Sequence, residues 1–302
     1  MERIKQALEK ARLERQKSGG GQTSPSSSGG SAISGSVVYT QTRTMHVAKD
    51  ILQDRRIISG LGQGAFTDAY KILRTQILQR LREKNWNSLA ITSPGFNEGK
   101  TLTAINLAIS LAMEVNYTVL LVDADLRHPS VHGYFGIDAE YGLSDYLTTD
   151  KPLSELLVHP GEIPGLVILP GGKPLANSAE MLNSPKMARL VEDLKARYPS
   201  RIVLFDLPPL LSAADALAFS PYVDAALLVV EDGKTQAEDA KQALDLLRGT
   251  NVIGTVLNKS NLNTQRDDGS RPENWIGHLQ NRLLLFRTVL TDWFNRLRKK
   301  KH

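Results

Sequence analysis

The chain has 302 residues, of which 41% are hydrophobic and 23% are charged, so it has room for one large α/β domain or two small ones. It contains no cysteine, which excludes a disulfide framework and a thiolate metal site. No stretch approaches the roughly 18 apolar residues of a spanning helix, and the first residues are charged. The sequence therefore predicts neither a membrane span nor a signal peptide.

The formal net charge of +5 is concentrated at the two ends of the chain. Residues 275–302 contain seven Lys or Arg and one acid, whereas residues 1–17 contain six and three. The stretch between them is slightly acidic, which argues against a nucleic-acid groove there. We expect the basic ends to meet an anionic surface.

Five segments are predicted along the chain. Residues 1–17 have apolar residues at helical spacing, which predicts a short helix that is either solvated or docked on a partner. Residues 18–37 are almost entirely Gly, Ser, Thr and Pro, a composition typical of a flexible linker, and residues 38–64 are expected to form an extended lead-in. Residues 65–262 form the main domain, and residues 263–302 a linker and a basic C-terminal helix.

Helical patterns alternate with short apolar runs in the main domain. Such runs, without polar alternation, predict strands that are covered on both faces. The fold class is therefore α/β, with a doubly wound, mostly parallel sheet flanked by helices. The predicted strands lie near residues 89–91, 119–122, 167–169, 203–205, 225–230 and 252–257.

A phosphate-binding loop is predicted at residues 93–101, Ser-Pro-Gly-Phe-Asn-Glu-Gly-Lys-Thr, between a strand and a helix. Lys100 would reach the outer phosphates of ATP, and the Thr101 hydroxyl would bind Mg²⁺. The strict motif is missed, because Pro94 holds its first glycine position, so a chance turn is the alternative. The predicted nucleotide-binding residues are Gly95, Asn97, Glu98, Gly99, Lys100, Thr101 and Leu102.

Carboxylates follow two further predicted strands. Asp123 and Asp125 follow one strand and Asp206 another, at the sheet edge where ligands bind in open α/β folds. Acids so close together need a compensating charge, either a metal or the adjacent Arg127. Asp206 beside Thr101 would hold Mg²⁺ through water. Taken singly, each strand end is also compatible with a solvated turn.

In this order and spacing, the three blocks resemble the bacterial tyrosine kinases of capsule and exopolysaccharide synthesis, of the cytoplasmic CpsD/CapB-like type. Those kinases belong to the MinD/ParA-like P-loop ATPases, but Gly95 stands where the partition ATPases have a lysine. The resemblance covers about residues 65–262. It implies a P-loop fold and an ATP- and Mg²⁺-dependent tyrosine autokinase that regulates polysaccharide synthesis or export.

The resemblance also implies residue roles. Lys100, Asp123, Asp125 and Asp206 would be catalytic, and Asp123 would polarise the attacking hydroxyl. Thr101, Asp125 and Asp206 would organise Mg²⁺, partly through water, and Asn258 would read the adenine edge. A helix with Asp68, Lys71 and Arg74 is similar to the one that assembles family members into rings, with Asp and Lys in place of Glu and Arg.

The resemblance also implies partners and a location for the protein. The resemblance implies a membrane polysaccharide co-polymerase (Wzz-like) as activator, homo-oligomers, no nucleic acid, and a place at the inner face of the plasma membrane. The alternatives are an ATP-hydrolysing assembly switch without kinase activity and a positioning ATPase.

The sequence departs from the family in two places. Phe96 and Asn97 replace a Pro-Gly pair of the phosphate loop, and we expect Asn97 to adopt the positive φ of the missing glycine. Family members end in a tyrosine cluster, but here no tyrosine follows Tyr222. Tyr39, just after the linker, is the candidate phosphoacceptor. Residues 275–302 suit either an anionic membrane or packing on protein.

Overall fold

The computed structural model describes residues 42–58, 64–149, 151–197 and 200–260. The predictions for the helix at 1–17, the linker at 18–37, Tyr39 and the segment 263–302 lie outside these residues. Among the described residues, no helix is long and apolar enough to cross a membrane.

Within the described part of the chain, an eight-stranded sheet has the order β1-β4-β5-β3-β6-β2-β7-β8. Its neighbours pair in parallel except for β4 and β5, which are antiparallel. The predicted doubly wound, mostly parallel sheet is confirmed. The strands are β1 Arg43–Met45, β2 Ser88–Thr92, β3 Thr118–Asp123, β4 Val158–Pro160, β5 Leu166–Leu169, β6 Arg201–Asp206, β7 Ala225–Glu231 and β8 Val252–Asn258.

Ten α-helices connect and cover these strands within the same described residues. They are α1 Lys49–Asp54, α2 Ala65–Lys84, α3 Lys100–Ala112, α4 Val131–Tyr134, α5 Leu143–Thr148, α6 Leu153–Leu156, α7 Ser178–Leu182, α8 Pro185–Ala196, α9 Asp215–Phe219 and α10 Ala237–Leu246.

The central strands are apolar on both faces because each face meets its own layer of helices. Along β2, Leu89 and Ile91 belong to the core that contains the apolar side chains of α2 and α3. Ala90 points the other way and joins the second core, with Leu190 of α8 and Phe205 of β6. This two-sided burial fixes the register of β2 and the position of the loop that follows it.

The segment expected to be an extended lead-in contains β1 and α1. Val47, Leu52 and Ile57 are buried in the first core. The side chain of Asn106, on α3, accepts a hydrogen bond from the Ile58 N–H (2.8 Å) and donates one to the Arg56 carbonyl (3.1 Å). The end of the segment is therefore fixed to the helix that begins at the phosphate loop.

Candidate active site

Strand order brings the three predicted blocks together. β6 lies between β2 and β3, in a register that pairs Asp206 with Ile91 on one side and with Asp123 on the other. Because all three strands are parallel, the segments that follow them emerge at one edge of the sheet. The structure thus places the phosphate loop, the Asp123–Asp125 block and Asp206 side by side.

The phosphate loop has the backbone conformation that the sequence predicts. Asn97 has a φ of 63°, which confirms that this asparagine occupies the left-handed region in place of a glycine. Gly99 has a φ of 89°, and a Cβ added to it would lie 2.0 Å from Asn258 Nδ2. Only glycine fits at position 99, directly before α3 begins at Lys100.

Side chains from two other strand ends hold this loop. Glu98 accepts hydrogen bonds from the Gly95 N–H (2.8 Å) and from the Thr235 hydroxyl, and its carbonyl accepts one from Asn258 Nδ2 (2.8 Å). Lys259 donates to the Asn97 carbonyl (2.6 Å). The resemblance assigned Asn258 to the adenine edge, which stays a prediction, and no role at the loop was predicted for Thr235 or Lys259.

Lys100 lies among the predicted acids. Its Nζ is 2.9 Å from Asp125 Oδ2 and 3.6 Å from Asp206 Oδ1. Burial alone would lower the pKa of Lys100, but attraction to Asp206 and Asp125 raises it overall. The Thr101 hydroxyl donates to Asp206 Oδ2 at 2.6 Å. Burial raises the pKa of Asp206, and Lys100 and Thr101 oppose that shift.

Asp123 is fully buried. Its Oδ2 accepts hydrogen bonds from the backbone N–H groups of Ser130 (2.8 Å) and Val131 (2.9 Å). Burial, followed by repulsion from Asp206, raises its pKa to about 7. Asp123 Oδ1 has no hydrogen-bond partner among the described residues. A Cβ added to Gly171 would lie 3.3 Å from Asp123 Cγ, so this glycine leaves space beside the carboxyl group.

Arg127 does not compensate the neighbouring acids, so that expectation is wrong. Its Nε instead binds Asp215 Oδ2 at 3.0 Å, and the fully buried Asp215 also accepts a hydrogen bond from the Ser178 hydroxyl. Lys100 supplies the charge expected of Arg127. Asp215 lies 88 residues beyond Arg127 in the chain, and nothing in the local pattern indicated the pair.

The other predicted residues lie on α3 and α2. Leu102, in the first turn of α3, is half-buried and packs its side chain against the first core. Lys71 and Asp68 form an exposed ion pair (3.0 Å) on α2. Arg74 donates to the Ser110 carbonyl (3.0 Å) and pairs with Glu114 (2.7 Å), so it binds within its own chain.

Comparisons with known proteins agree with this geometry. A family described as an AAA domain matches residues 95–250, about half of the chain. The tyrosine-protein kinase YwqD of Bacillus subtilis (strain 168) is 34% identical over 205 residues, which cover 67% of this chain and 85% of YwqD.

Two further comparisons show what share of each related protein this chain covers. The tyrosine-protein kinase ptk of Acinetobacter johnsonii is 32% identical over 193 residues, 63% of this chain but only 26% of ptk. The solved kinase domain of the Escherichia coli tyrosine kinase ETK superimposes with a TM-score of 0.61 at 28% identity, covering 74% of this chain and 90% of that domain. The similarity to ETK is thus a similarity to nearly the whole of its kinase domain.

Proposed function

The chain belongs to the bacterial tyrosine-protein kinases, a family of P-loop ATPases, and we propose that it transfers the γ-phosphoryl group of ATP to tyrosine in the control of exopolysaccharide or capsule synthesis. The observation that supports this most directly is the cluster at the sheet edge, where Lys100 lies within 3.6 Å of both Asp125 and Asp206. The alternatives, an assembly switch and a positioning ATPase, are not favoured, because the curated relatives are named tyrosine kinases.

The residues of the site fit a Mg²⁺-bound nucleotide. Asp206 Oδ1 has no hydrogen-bond partner in the described part of the chain, and Asp206 Oδ2 is bonded to the Thr101 hydroxyl. Hydroxyl and carboxylate oxygens are the ligands that Mg²⁺ prefers. Thr101 and Asp206 would hold the ion and Asp125 would orient its water ligands. When bound, the ion would neutralise charge on the β- and γ-phosphates.

The chain's own groups would orient the nucleotide. The backbone N–H groups of residues 95–101 and the start of α3 offer partial positive charge to the phosphates. Lys100 would exchange part of its contact with Asp125 for the outer phosphates. Asn258 lies against Gly99, and with its Nδ2 bonded to Glu98, its Oδ1 would accept a hydrogen bond from the adenine amino group.

Asp123 would take the proton of the attacking phenol. A base with a pKa of about 7 is about half ionised at pH 7, and its pKa near the working pH suits it to accept a proton. Asp123 Oδ1 has no hydrogen-bond partner within the described residues, so it could accept the proton. The two backbone N–H groups on Oδ2 would keep the carboxylate in place during transfer.

Incubation of the purified protein with labelled ATP and Mg²⁺ tests this function. We expect phosphotyrosine on the chain or on the polymer poly(Glu,Tyr). Lys100→Ala should reduce labelling by about 100-fold or more, since it removes a charge aimed at the transferring group. Phosphotyrosine mapping by mass spectrometry gives the readout. The absence of labelled tyrosine with the wild-type protein would exclude kinase activity.

The remaining expectations are part of the same proposal. Tyr39 stays a predicted acceptor, delivered by the linker to a neighbouring subunit. The kinase would act as a homo-oligomer at the inner face of the plasma membrane, activated by a Wzz-like co-polymerase.

The support for a membrane contact is the basic charge of residues 275–302. Their deletion should abolish binding to anionic liposomes and leave ATP binding intact; unchanged liposome binding would contradict the membrane role.

A further inference from the structure

We propose that Tyr141 is a phosphoacceptor of this chain and is phosphorylated by the active site of a second copy. The inference rests on the proposed kinase function and names a substrate for it. Three features of the described residues support it: the exposure of Tyr141, the charges around its ring, and its place beside the catalytic edge.

Exposure separates Tyr141 from the other tyrosines. Of the six tyrosines within the described residues, Tyr141 is the one with an exposed side chain, at 39%. Tyr70 is buried, and the other four are half-buried, namely Tyr117, Tyr134, Tyr146 and Tyr222. A kinase site has to reach the phenol of its substrate, and among these six tyrosines Tyr141 has the most exposed side chain.

Charged groups surround the Tyr141 ring. Asp138 and Glu140 precede it, and hydrogen bonding and repulsion from Glu140 raise the pKa of its phenol. An ordinary phenol is already protonated at neutral pH, so the hydroxyl needs a base for transfer, which Asp123 of the other copy would supply. The Lys151 ammonium lies 3.4 Å from the centre of the ring. After transfer, this cation would compensate the new phosphate charge beside Glu140.

Backbone hydrogen bonds place Tyr141 next to the catalytic edge. The Leu143 N–H binds the Pro170 carbonyl (2.8 Å), and the Ser144 N–H binds the Gly171 carbonyl (2.9 Å). Gly171 in turn lies beside Asp123. Tyr141, two residues before Leu143, is thus anchored close to the sheet edge that carries Asp123. The same bonds and the buried Leu143 fix the backbone that follows Tyr141, which limits its movement toward Asp123 of its own chain and favours transfer between copies.

The chemical step needs only Mg²⁺ and ATP, the substrates of the proposed function. The Tyr141 oxygen forms a bond to the γ-phosphorus while the bond from that phosphorus to the β–γ bridging oxygen breaks. The phenolic proton passes to Asp123 of the other copy, and ADP leaves with the electron pair of the broken bond.

A two-chain experiment tests the inference. A Lys100→Ala chain labelled with heavy isotopes supplies the acceptor, and a Tyr141→Phe chain of normal mass supplies the active site. After incubation with Mg²⁺ and ATP, we expect phosphate on Tyr141 of the heavy chain. A parallel assay uses poly(Glu,Tyr) as the substrate. In it, the Tyr141→Phe chain should phosphorylate the polymer as fast as the wild type does, because the change removes an exposed hydroxyl outside the catalytic machinery.

The matched control is Tyr146→Phe, which alters a half-buried tyrosine five residues away and also has a lysine, Lys186, near its ring. That variant should keep full labelling at Tyr141. Labelled poly(Glu,Tyr) with no phosphate on Tyr141 would overturn the inference and leave the kinase function standing. With a wild-type chain of normal mass as the active partner, phosphate on Tyr141 of that chain but not of the heavy Lys100→Ala chain would overturn transfer between copies. No labelling of any tyrosine or of the polymer would overturn the kinase function as well.

Discussion

At the scale of single residues, burial gives Asp123 a chemistry that its position in the sequence does not reveal. Its pKa is about 7 in the folded chain, against 3.8 for the free side chain, with Asp206 and Lys100 as the charged groups that face it. Between these two pH values the folded state binds more protons than the unfolded state. The free energy of unfolding therefore falls as the pH rises through this window.

Asp123→Asn should remove the free-energy cost of ionising this buried carboxyl group. Without Mg²⁺ or nucleotide, we expect the variant to be more stable than the wild type at pH 8, by up to about 4 kcal/mol. The gain should vanish near pH 4, where the wild-type carboxyl group is protonated. Urea unfolding at several pH values measures it, and labelling assays should show that kinase activity is lost. A less stable Asp123→Asn at pH 8 would contradict the buried, high-pKa carboxyl.

Asn97 offers a second prediction at this scale. Because its φ is 63°, Asn97→Ala should lose about 1 kcal/mol of stability and bind ATP more weakly, whereas Asn97→Gly should retain both. Thermal unfolding and calorimetric ATP titration provide the measurements. Equal behaviour of the two variants would mean that the positive φ does not matter to the loop.

The contrast between Asn97 and Arg127 shows which residue roles the sequence can reveal. The Asn97 conformation follows from local chemistry, since asparagine tolerates the left-handed region. The partner of Arg127 depends on how α9 packs against the β3 loop, which no local pattern encodes. A neighbouring acid in the sequence is therefore a poor guide to ion pairing in the fold.

At the scale of secondary structure elements, prediction succeeded where burial is continuous. Uninterrupted apolar runs predicted β2, β3, β6 and β7 within a residue or two of their observed ends. The three-residue strands β1 and β4 were missed, because Arg43–Met45 and Val158–Pro160 are too short for any hydrophobic period. Both strands lie at one side of the sheet, where β1 pairs with β4 and β4 pairs with β5. Their positions therefore depend on contacts between distant parts of the chain.

The contact between α3 and residues 42–58 leads to a third prediction. Asn106→Ala would leave the buried Ile58 N–H and the part-buried Arg56 carbonyl without their side-chain partner, at a cost of about 1–3 kcal/mol. Urea unfolding should show this loss, and hydrogen exchange should show earlier opening at Ile58. Ser110→Ala on the same helix is the control, because its hydroxyl makes one long bond of 3.3 Å. An equal loss in both variants would contradict a specific role for Asn106.

At the scale of the whole molecule, strand order assembles a site from residues more than 100 positions apart. Thr101 and Asp206 meet because β6 inserts between β2 and β3. The sequence predicted both residues at the Mg²⁺ site, but it predicted no strand order. Ring assembly, which the resemblance implies, would be the next level of organisation and stays a prediction. The three charges of α2 assigned to it differ in their surroundings, which allows a test.

Asp68 and Lys71 are exposed and pair with each other, whereas Arg74 is mostly buried and pairs with Glu114. Exchanging the first pair, with Asp68→Lys and Lys71→Glu together, keeps their mutual attraction but reverses the charges shown to a neighbouring subunit. We expect unchanged thermal stability, because an exposed pair contributes about 0–1 kcal/mol, and a smaller assembly by light scattering with ATP and Mg²⁺. Arg74→Ala should instead lower the stability of the single chain, since Glu114 and the Ser110 carbonyl lose their donor. If the exchanged pair assembles like the wild type, these charges do not lie at a subunit contact, and ring formation would have to depend on another surface.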